Sequence, residues 1–97
     1  MSDTKSLPNS IQDVFDVYAP RVKGMKSSSG IVCGDISEHA AKRIVDRGIS
    51  LEELEDLIKN APVVYPGNKL GSTCQQKDGL RLVLGNDNGT IVSVVNL

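Results

Sequence analysis

Apolar residues recur every four positions in residues 35–48, which predicts a helix with one buried stripe. Asp35 or Ser37 can cap the start of this helix, and Asp35 with the glutamate three positions later resembles a capping box. Gly48 can adopt the left-handed conformation that ends a helix. The predicted buried stripe consists of Ile36, Ala40 and Ile44, with Ala41 and Val45 beside it.

The same periodicity predicts a helix before this segment and another after it. Residues 11–19 carry apolar side chains at helical spacing. Ser10 is a suitable N-cap for this helix, and Pro20 should end it. Residues 50–60 open with a Ser-x-x-Glu capping box and stop at Asn-Ala-Pro. The outer face of this last helix is acidic, which is typical of a solvated surface.

Two further stretches lack a regular period. Residues 1–10 are polar and are predicted to be a flexible lead-in to a single domain spanning residues 11–97. Residues 21–34 combine basic side chains with glycine and serine, which predicts a mobile loop. That loop is either a solvated linker or a basic flap over a polyanion.

From residue 63 the pattern changes from helical to extended. An Asp-Gly pair at 78–79 is a strong hairpin signal, and residues 86–89 form the next turn. We therefore expect an α+β fold, with helices packed on one face of a three- or four-stranded antiparallel sheet. The predicted strands cover residues 63–65, 70–77, 80–84 and 90–95.

Alternation along these strands sorts their polar residues between the two sheet faces. In the last strand it places Ser93 with Ile91 and Val95 on one face, opposite Val92 and Val94. In the preceding strand Arg81 lies opposite three leucines. A sheet surface that bears Arg81 and Ser93, beside the helix that bears His39, would form a small cleft.

Composition narrows the chemistry that the chain can perform. Its 97 residues include only three aromatic side chains, so the core must be aliphatic. No apolar run is long enough to cross a bilayer, and the N-terminus lacks the hydrophobic segment of a signal peptide. One histidine and two cysteines exclude the usual zinc spacings, and no metal or cofactor is expected. Cys33 and Cys74 could form a disulfide or remain separate thiols.

The net charge of −1 gives no global sign of a nucleic-acid partner. The local arrangement of basic residues on the central helix, in contrast, favours a phosphate-containing ligand. His39, Arg43 and Arg47 repeat every four residues beside the buried stripe, so that a proton-transfer group lies above two guanidinium groups that can bind phosphate. The alternative is a surface histidine with arginines in helix-surface ion pairs, for example between Arg43 and Asp46.

The order of these motifs resembles a widespread bacterial toxin domain. The resemblance rests on His-x-x-x-Arg-x-x-x-Arg-Gly-Ile-Ser at residues 39–50, an acidic helix, Asn-Ala-Pro at 60–62, and a meander closing with Gly-Thr-Ile-Val-Ser-Val-Val at 89–95. Similar domains form the C-termini of contact-dependent growth inhibition proteins of the CdiA type. Their fold is the barnase/EndoU/colicin/RelE ribonuclease architecture, and the match covers residues 36–97.

The resemblance implies a metal-independent ribonuclease without a cofactor, most often a tRNA nuclease, that cleaves through a 2′,3′-cyclic phosphate. It implies a cognate immunity protein as partner, a possible host translation factor, and delivery from a secreted cell-surface protein into the cytoplasm of a target bacterium. The alternative is a non-catalytic interaction module, which the near-zero charge and the acidic helix favour. The expected catalytic residues are His39, Arg43, Arg81 and Ser93, and the expected substrate-binding residues are Arg47, Thr73, Gln75, Lys77 and Thr90.

Overall fold

A computed structural model describes residues 8–68 and 70–97, and in it three helices pack on one face of an antiparallel sheet. The predicted α+β class is therefore confirmed. The helices are α1, which joins Ile11–Asp13, the π-helical turn Val14–Tyr18 and Ala19–Val22; α2, Glu38–Arg47; and α3, Leu51–Asn60. The strands are β1, Val63–Pro66; β2, Ser72–Lys77; β3, Leu80–Gly85; and β4, Ile91–Asn96, in the spatial order β1-β2-β3-β4.

The ends of α2 and α3 follow their sequence signals. Ser37, not Asp35, caps α2, and its side chain accepts a hydrogen bond from the Ala40 N–H at 3.0 Å. Gly48 ends α2 with a φ of 62°, a conformation that costs glycine little. Both hydrogen bonds of the predicted capping box form at the start of α3. Local sequence therefore sets the bounds of the two helices that flank the site.

Helix α1 differs from its prediction, because it runs past Pro20 to Val22. The π-helical turn before the proline makes Ala19 donate its N–H to the Val14 carbonyl. This places Pro20 in the first turn of the next helical stretch. The N–H groups of a first turn have no acceptor within the helix, so the proline, which lacks an N–H, removes no hydrogen bond there. The buried Tyr18 hydroxyl then donates to the Ile49 carbonyl at 2.8 Å and ties α1 to the turn between α2 and α3.

The segment predicted as a mobile loop at residues 21–34 has a defined backbone. Its Ser28 N–H donates to the Ile58 carbonyl of α3 at 2.8 Å, and Lys26 and Val32 form an antiparallel bridge. Cys33 is buried in the core that the segment closes. Of the predicted lead-in, residues 1–7 lie outside the described part of the chain, and Ser10 is the N-cap of α1.

A bulge in β4 overturns the predicted alternation of that strand. Val83 pairs with Ser93 and Leu84 pairs with Ile91, so that Val92 is an extra residue. Ile91 and Val94 are both fully buried against the helices, whereas Ser93 faces the other way with Val83. The prediction that Ile91 shares a face with Ser93 was wrong, because one inserted residue reverses the alternation upstream of it.

The helices cover one face of the sheet, and the other face forms the site. Leu82, Leu84 and Gln75 are fully buried on the helix-covered face. We call the opposite side the open face; cross-strand register and alternation assign to it Tyr65, Ser72, Cys74, Gln76, Arg81, Val83, Ser93 and Val95. None of the described helices is long and apolar enough to span a membrane.

Candidate functional site

A cleft of about 540 Å³ lies on the open face, between the start of α2 and the connection from β1 to β2. His39 contributes from the helix, Arg81 and Ser93 from the sheet, and Asn68 from the connection. Val92, the bulged residue, also lines it. The structure therefore brings together the three residues that the strand pattern and the helix pattern had predicted to meet.

The position of His39 follows from how the start of α2 is held on β4. The Ser37 hydroxyl donates to the Val92 carbonyl at 2.8 Å, and the Ser37 N–H donates to the Ile91 carbonyl at 3.0 Å. Ile91 in turn donates its N–H to the Asp35 carbonyl at 2.9 Å. These bonds fix the first turn of α2 on the bulge, so that the exposed His39 stands at the mouth of the cleft.

Arg81 supplies the cationic group of the cleft. Its Nε–H is buried and has no hydrogen-bond acceptor within the described part of the chain. A buried donor without an acceptor costs roughly 1–3 kcal/mol. No carboxylate among residues 8–68 and 70–97 forms an ion pair with this guanidinium. The Arg81 guanidinium is therefore available to pair with a negatively charged ligand.

A row of cross-strand neighbours crosses the floor of the cleft and ends beside it on the edge strand β1. Ser93 pairs with Val83, Val83 with Cys74, and Cys74 with Tyr65.

Cys74 is a free thiol, as is Cys33 in the core, so the alternative of separate thiols is confirmed. Burial raises the pKa of the Cys33 thiol to about 11.

Arg43 and Arg47 lie on α2 beyond the cleft. They follow His39 by one and two turns, roughly 6 and 12 Å along the helix axis, and neither lines the cavity. Arg43 is partly exposed and Arg47 is exposed. Among the described residues neither forms an ion pair, so the helix-surface pairing considered above is not found.

Two predicted substrate-binding residues lie on the wrong face of the sheet. Gln75 is fully buried and donates its side-chain amide to the Leu57 and Ile58 carbonyls, each at 2.8 Å. Lys77 pairs with Asp56 at 2.5 Å, and this contact raises the pKa of the lysine and lowers that of the aspartate. Both residues hold the helix layer against the sheet, because alternation points them away from Arg81 and Ser93.

The two predicted threonines also lie outside the cleft. Thr73 shares the helix side of the sheet with Leu84, and its hydroxyl donates to the Asn86 side chain at 2.6 Å. Thr90 lies in the turn before β4, where its N–H donates to the Asn88 side chain at 2.9 Å. Sequence reasoning selected both as polar residues near strands, but the Thr73 side chain and the Thr90 backbone instead form hydrogen bonds to residues of the turn after β3.

The sequence reasoning missed four polar residues of the open face. Ser72 and Cys74 line the cleft, and Tyr65 and Gln76 lie beside it in neighbouring register positions. Alternation within β2 could have found three of them, because they occupy every second position of the strand. Choosing which of the two alternating sets faced the cleft required the pairing of β2 with β3.

Comparison with known protein families, with curated proteins and with solved structures finds no match. Within the described residues, no three side chains of the metal-ligating types His, Cys, Asp and Glu converge on one point. The site is therefore interpreted from its own geometry.

Proposed function

We propose that the chain is a ribonuclease toxin domain that cleaves RNA, with tRNA as its expected target, through a 2′,3′-cyclic phosphate. The supporting observation is that His39, Arg81 and Ser93 line one cleft, and that the Arg81 guanidinium has no carboxylate partner in the described chain. A proton-transfer group, a guanidinium and a hydroxyl around one cavity are the groups that phosphodiester cleavage requires.

In the proposed reaction, His39 removes the proton of a ribose 2′-hydroxyl. The resulting oxygen attacks the adjacent phosphorus while the bond from phosphorus to the 5′-oxygen breaks. The leaving 5′-oxygen takes a proton from water on the opposite side of the phosphorus, and the imidazolium later releases its own proton to solvent, so the products are a 2′,3′-cyclic phosphate and a 5′-hydroxyl. Arg81 stabilises the charge that develops on the phosphoryl oxygens, and Ser93 donates a hydrogen bond that orients the phosphate.

Arg43 and Arg47 take a different part in this proposal from the one that the sequence favoured for Arg43. Both lie on the stripe of α2 that leads away from His39, outside the cleft lining. We assign them to phosphates that flank the cleaved bond. Contacts of this kind add affinity that weakens with salt, and they contribute little to the chemical step.

The partners follow from this activity. A producing cell must silence such a nuclease, so we propose an immunity protein whose acidic surface covers His39, Arg43 and Arg81 in place of the RNA backbone. Delivery into the cytoplasm of a target bacterium, and assistance by a host translation factor, belong to the same proposal. An inhibitor that left His39 open and bound only α3 would contradict it.

The test is incubation of the purified protein with total bacterial RNA in the presence of EDTA. We expect discrete tRNA fragments that end in a 2′,3′-cyclic phosphate, and no fragments from the His39→Ala variant. RNA left intact by the folded wild-type protein, together with tight binding of a cellular protein, would overturn the proposal in favour of a non-catalytic interaction module.

A further inference from the structure

We infer that Tyr65 and Gln76 form a nucleobase platform on the open face, which selects single-stranded RNA as the substrate. This inference rests on the proposed ribonuclease function and adds a binding position outside the reacting phosphate. It starts from two residues that the catalytic assignment does not use. They share one sheet surface with Arg81 and Ser93.

The register places Tyr65 beside the cleft, at the far end of the row that crosses the cleft floor. From Ser93 the row crosses Val83 and Cys74 before it reaches Tyr65 on the edge strand β1. Three strand spacings of about 4.8 Å separate the two ends by roughly 14 Å. A base on Tyr65 therefore belongs to a nucleotide beyond the one whose phosphate lies between His39 and Arg81.

The chemistry of the pair suits a base better than a phosphate. Tyr65 is partly exposed, and the other two aromatic residues of the chain, Phe15 and Tyr18, lie in α1 and not on the sheet. An aromatic side chain on an open sheet face offers a surface on which a base can stack. A base inside a duplex is already stacked, so this platform accepts single-stranded segments.

Gln76 fixes the ring and adds hydrogen-bonding capacity beside it. Its side-chain amide donates to the Tyr65 hydroxyl, diagonally across the pair of strands. The amide keeps its carbonyl oxygen and a second N–H, which can bind the edge of a stacked base. Gln76 also pairs with Arg81 on β3, so the platform and the phosphate-binding arginine lie side by side on one rigid sheet.

The test measures binding of a short, fluorescein-labelled single-stranded RNA of mixed sequence in the His39→Ala background, where cleavage does not interfere. Tyr65→Ala should weaken binding about 5- to 150-fold, the range expected for loss of one stacked base. Tyr65→Phe, which keeps the ring, should stay within about threefold of the parent. Tyr65→Leu should weaken binding like alanine while it keeps an apolar residue on the strand.

Val64→Ala is the matched control, because Val64 is exposed on the same strand but faces the other side of the sheet. It should bind like the parent, and a duplex of the same sequence should bind with no dependence on Tyr65. Equal affinity of Tyr65→Ala and the parent, in a wild-type protein that does cleave RNA, would overturn this inference alone. A wild-type protein that neither binds nor cleaves RNA would overturn the proposed function and this inference with it.

Discussion

Individual residues on the two faces of the sheet differ in their exposure and in the hydrogen-bond partners of their side chains. His39 is exposed on the first turn of α2, and its removal leaves no hole in the core. Arg81 has a buried Nε–H without an acceptor in the described chain. Gln75 lies one strand away on the opposite face, where its side-chain N–H groups donate to two helix carbonyls and its buried Oε1 has no donor in the described chain. Substitutions of His39 and Arg81 should therefore alter activity, whereas substitution of Gln75 should alter stability.

The first prediction concerns His39. His39→Ala should lower the rate of RNA cleavage about 100-fold or more, because it removes the proposed proton-transfer group. The melting temperature should stay within about 2 °C, since the side chain is exposed. Cleavage assays and thermal melts followed by circular dichroism check both parts. Lys42→Ala, an exposed change on the same helix, is the control, and wild-type turnover in the alanine variant would remove His39 from the reaction.

The second prediction compares two arginines. Arg81→Lys keeps the charge but loses the planar fork and its Nε–H, so kcat should fall about 10- to 100-fold. Arg43→Lys should leave kcat unchanged and raise KM by about threefold at most, because Arg43 does not line the cleft. Steady-state kinetics on one RNA substrate separate the two effects. The reverse pattern, with kcat sensitive to Arg43, would restore Arg43 to the catalytic group.

Among the elements, the junction between α2 and β4 positions the site. Ser37 caps the helix and also donates to the Val92 carbonyl at the bulge. The bulge allows Ile91 to enter the core while Ser93 faces the cleft. The Ser37 cap and the extra residue Val92 therefore set the relative positions of His39 and Ser93.

The third prediction tests this junction. Ser37→Ala should cost about 1 kcal/mol of stability through loss of the cap, and it should lower kcat because the first turn of α2 is no longer held on β4. Ser50→Ala removes the equivalent cap of α3, and it should cost a similar or larger free energy of unfolding without changing kcat. Chemical denaturation and kinetics on both variants provide the comparison. Equal kcat values for the two would show that the anchor of α2 has no part in catalysis.

For the whole molecule, the net charge conceals an uneven distribution. The exposed face of α3 carries Glu52 and Glu53, while α2 presents Arg43 and Arg47 without carboxylate partners in the described chain. A polyanion would meet a favourable potential on the α2 side and an unfavourable one on the α3 side. A formal charge of −1 is therefore compatible with a local phosphate-binding surface.

The fourth prediction concerns stability at alkaline pH. Burial raises the pKa of Cys33 from 9.0 to about 11 and that of Tyr18 from 10.0 to about 12. Between pH 9 and 11 the unfolded chain loses protons that the native chain keeps, so the free energy of unfolding must fall as the pH rises. Below pH 9 both groups are protonated in either state, and their contribution is constant.

Thermal melts at several values from pH 8 to 11 test this linkage, with the melting temperature expected to decrease above pH 9. In the Cys33→Ala variant the melting temperature should decrease less between pH 9 and 10, because the thiol, the more acidic of the two buried groups, is absent. A melting temperature that rises or stays constant over this range would show that the thiol and the phenol ionise in the native protein as they do in the unfolded chain.

The sequence by itself determined the helices α2 and α3, the caps at Gly48 and Ser50, the α+β class and the faces of β3. These features depend on contacts between residues a few positions apart, and such contacts are visible as periodicity and capping pairs. His39, Arg81 and Ser93 were candidates on their own elements, but the alignment that brings them to one cleft comes from the pairing of the strands.

Only the tertiary structure decided which polar residues of the strands belong to the cleft. The bulge at Val92 and the burial of Gln75 depend on pairing between strands, and the route of α1 past Pro20 depends on its packing through Tyr18. A shift of one residue in strand pairing moves every side chain to the other face, and no local signal in the chain reports that shift. The identity of the site therefore depends on long-range register, although each of its side chains can be read directly from the sequence.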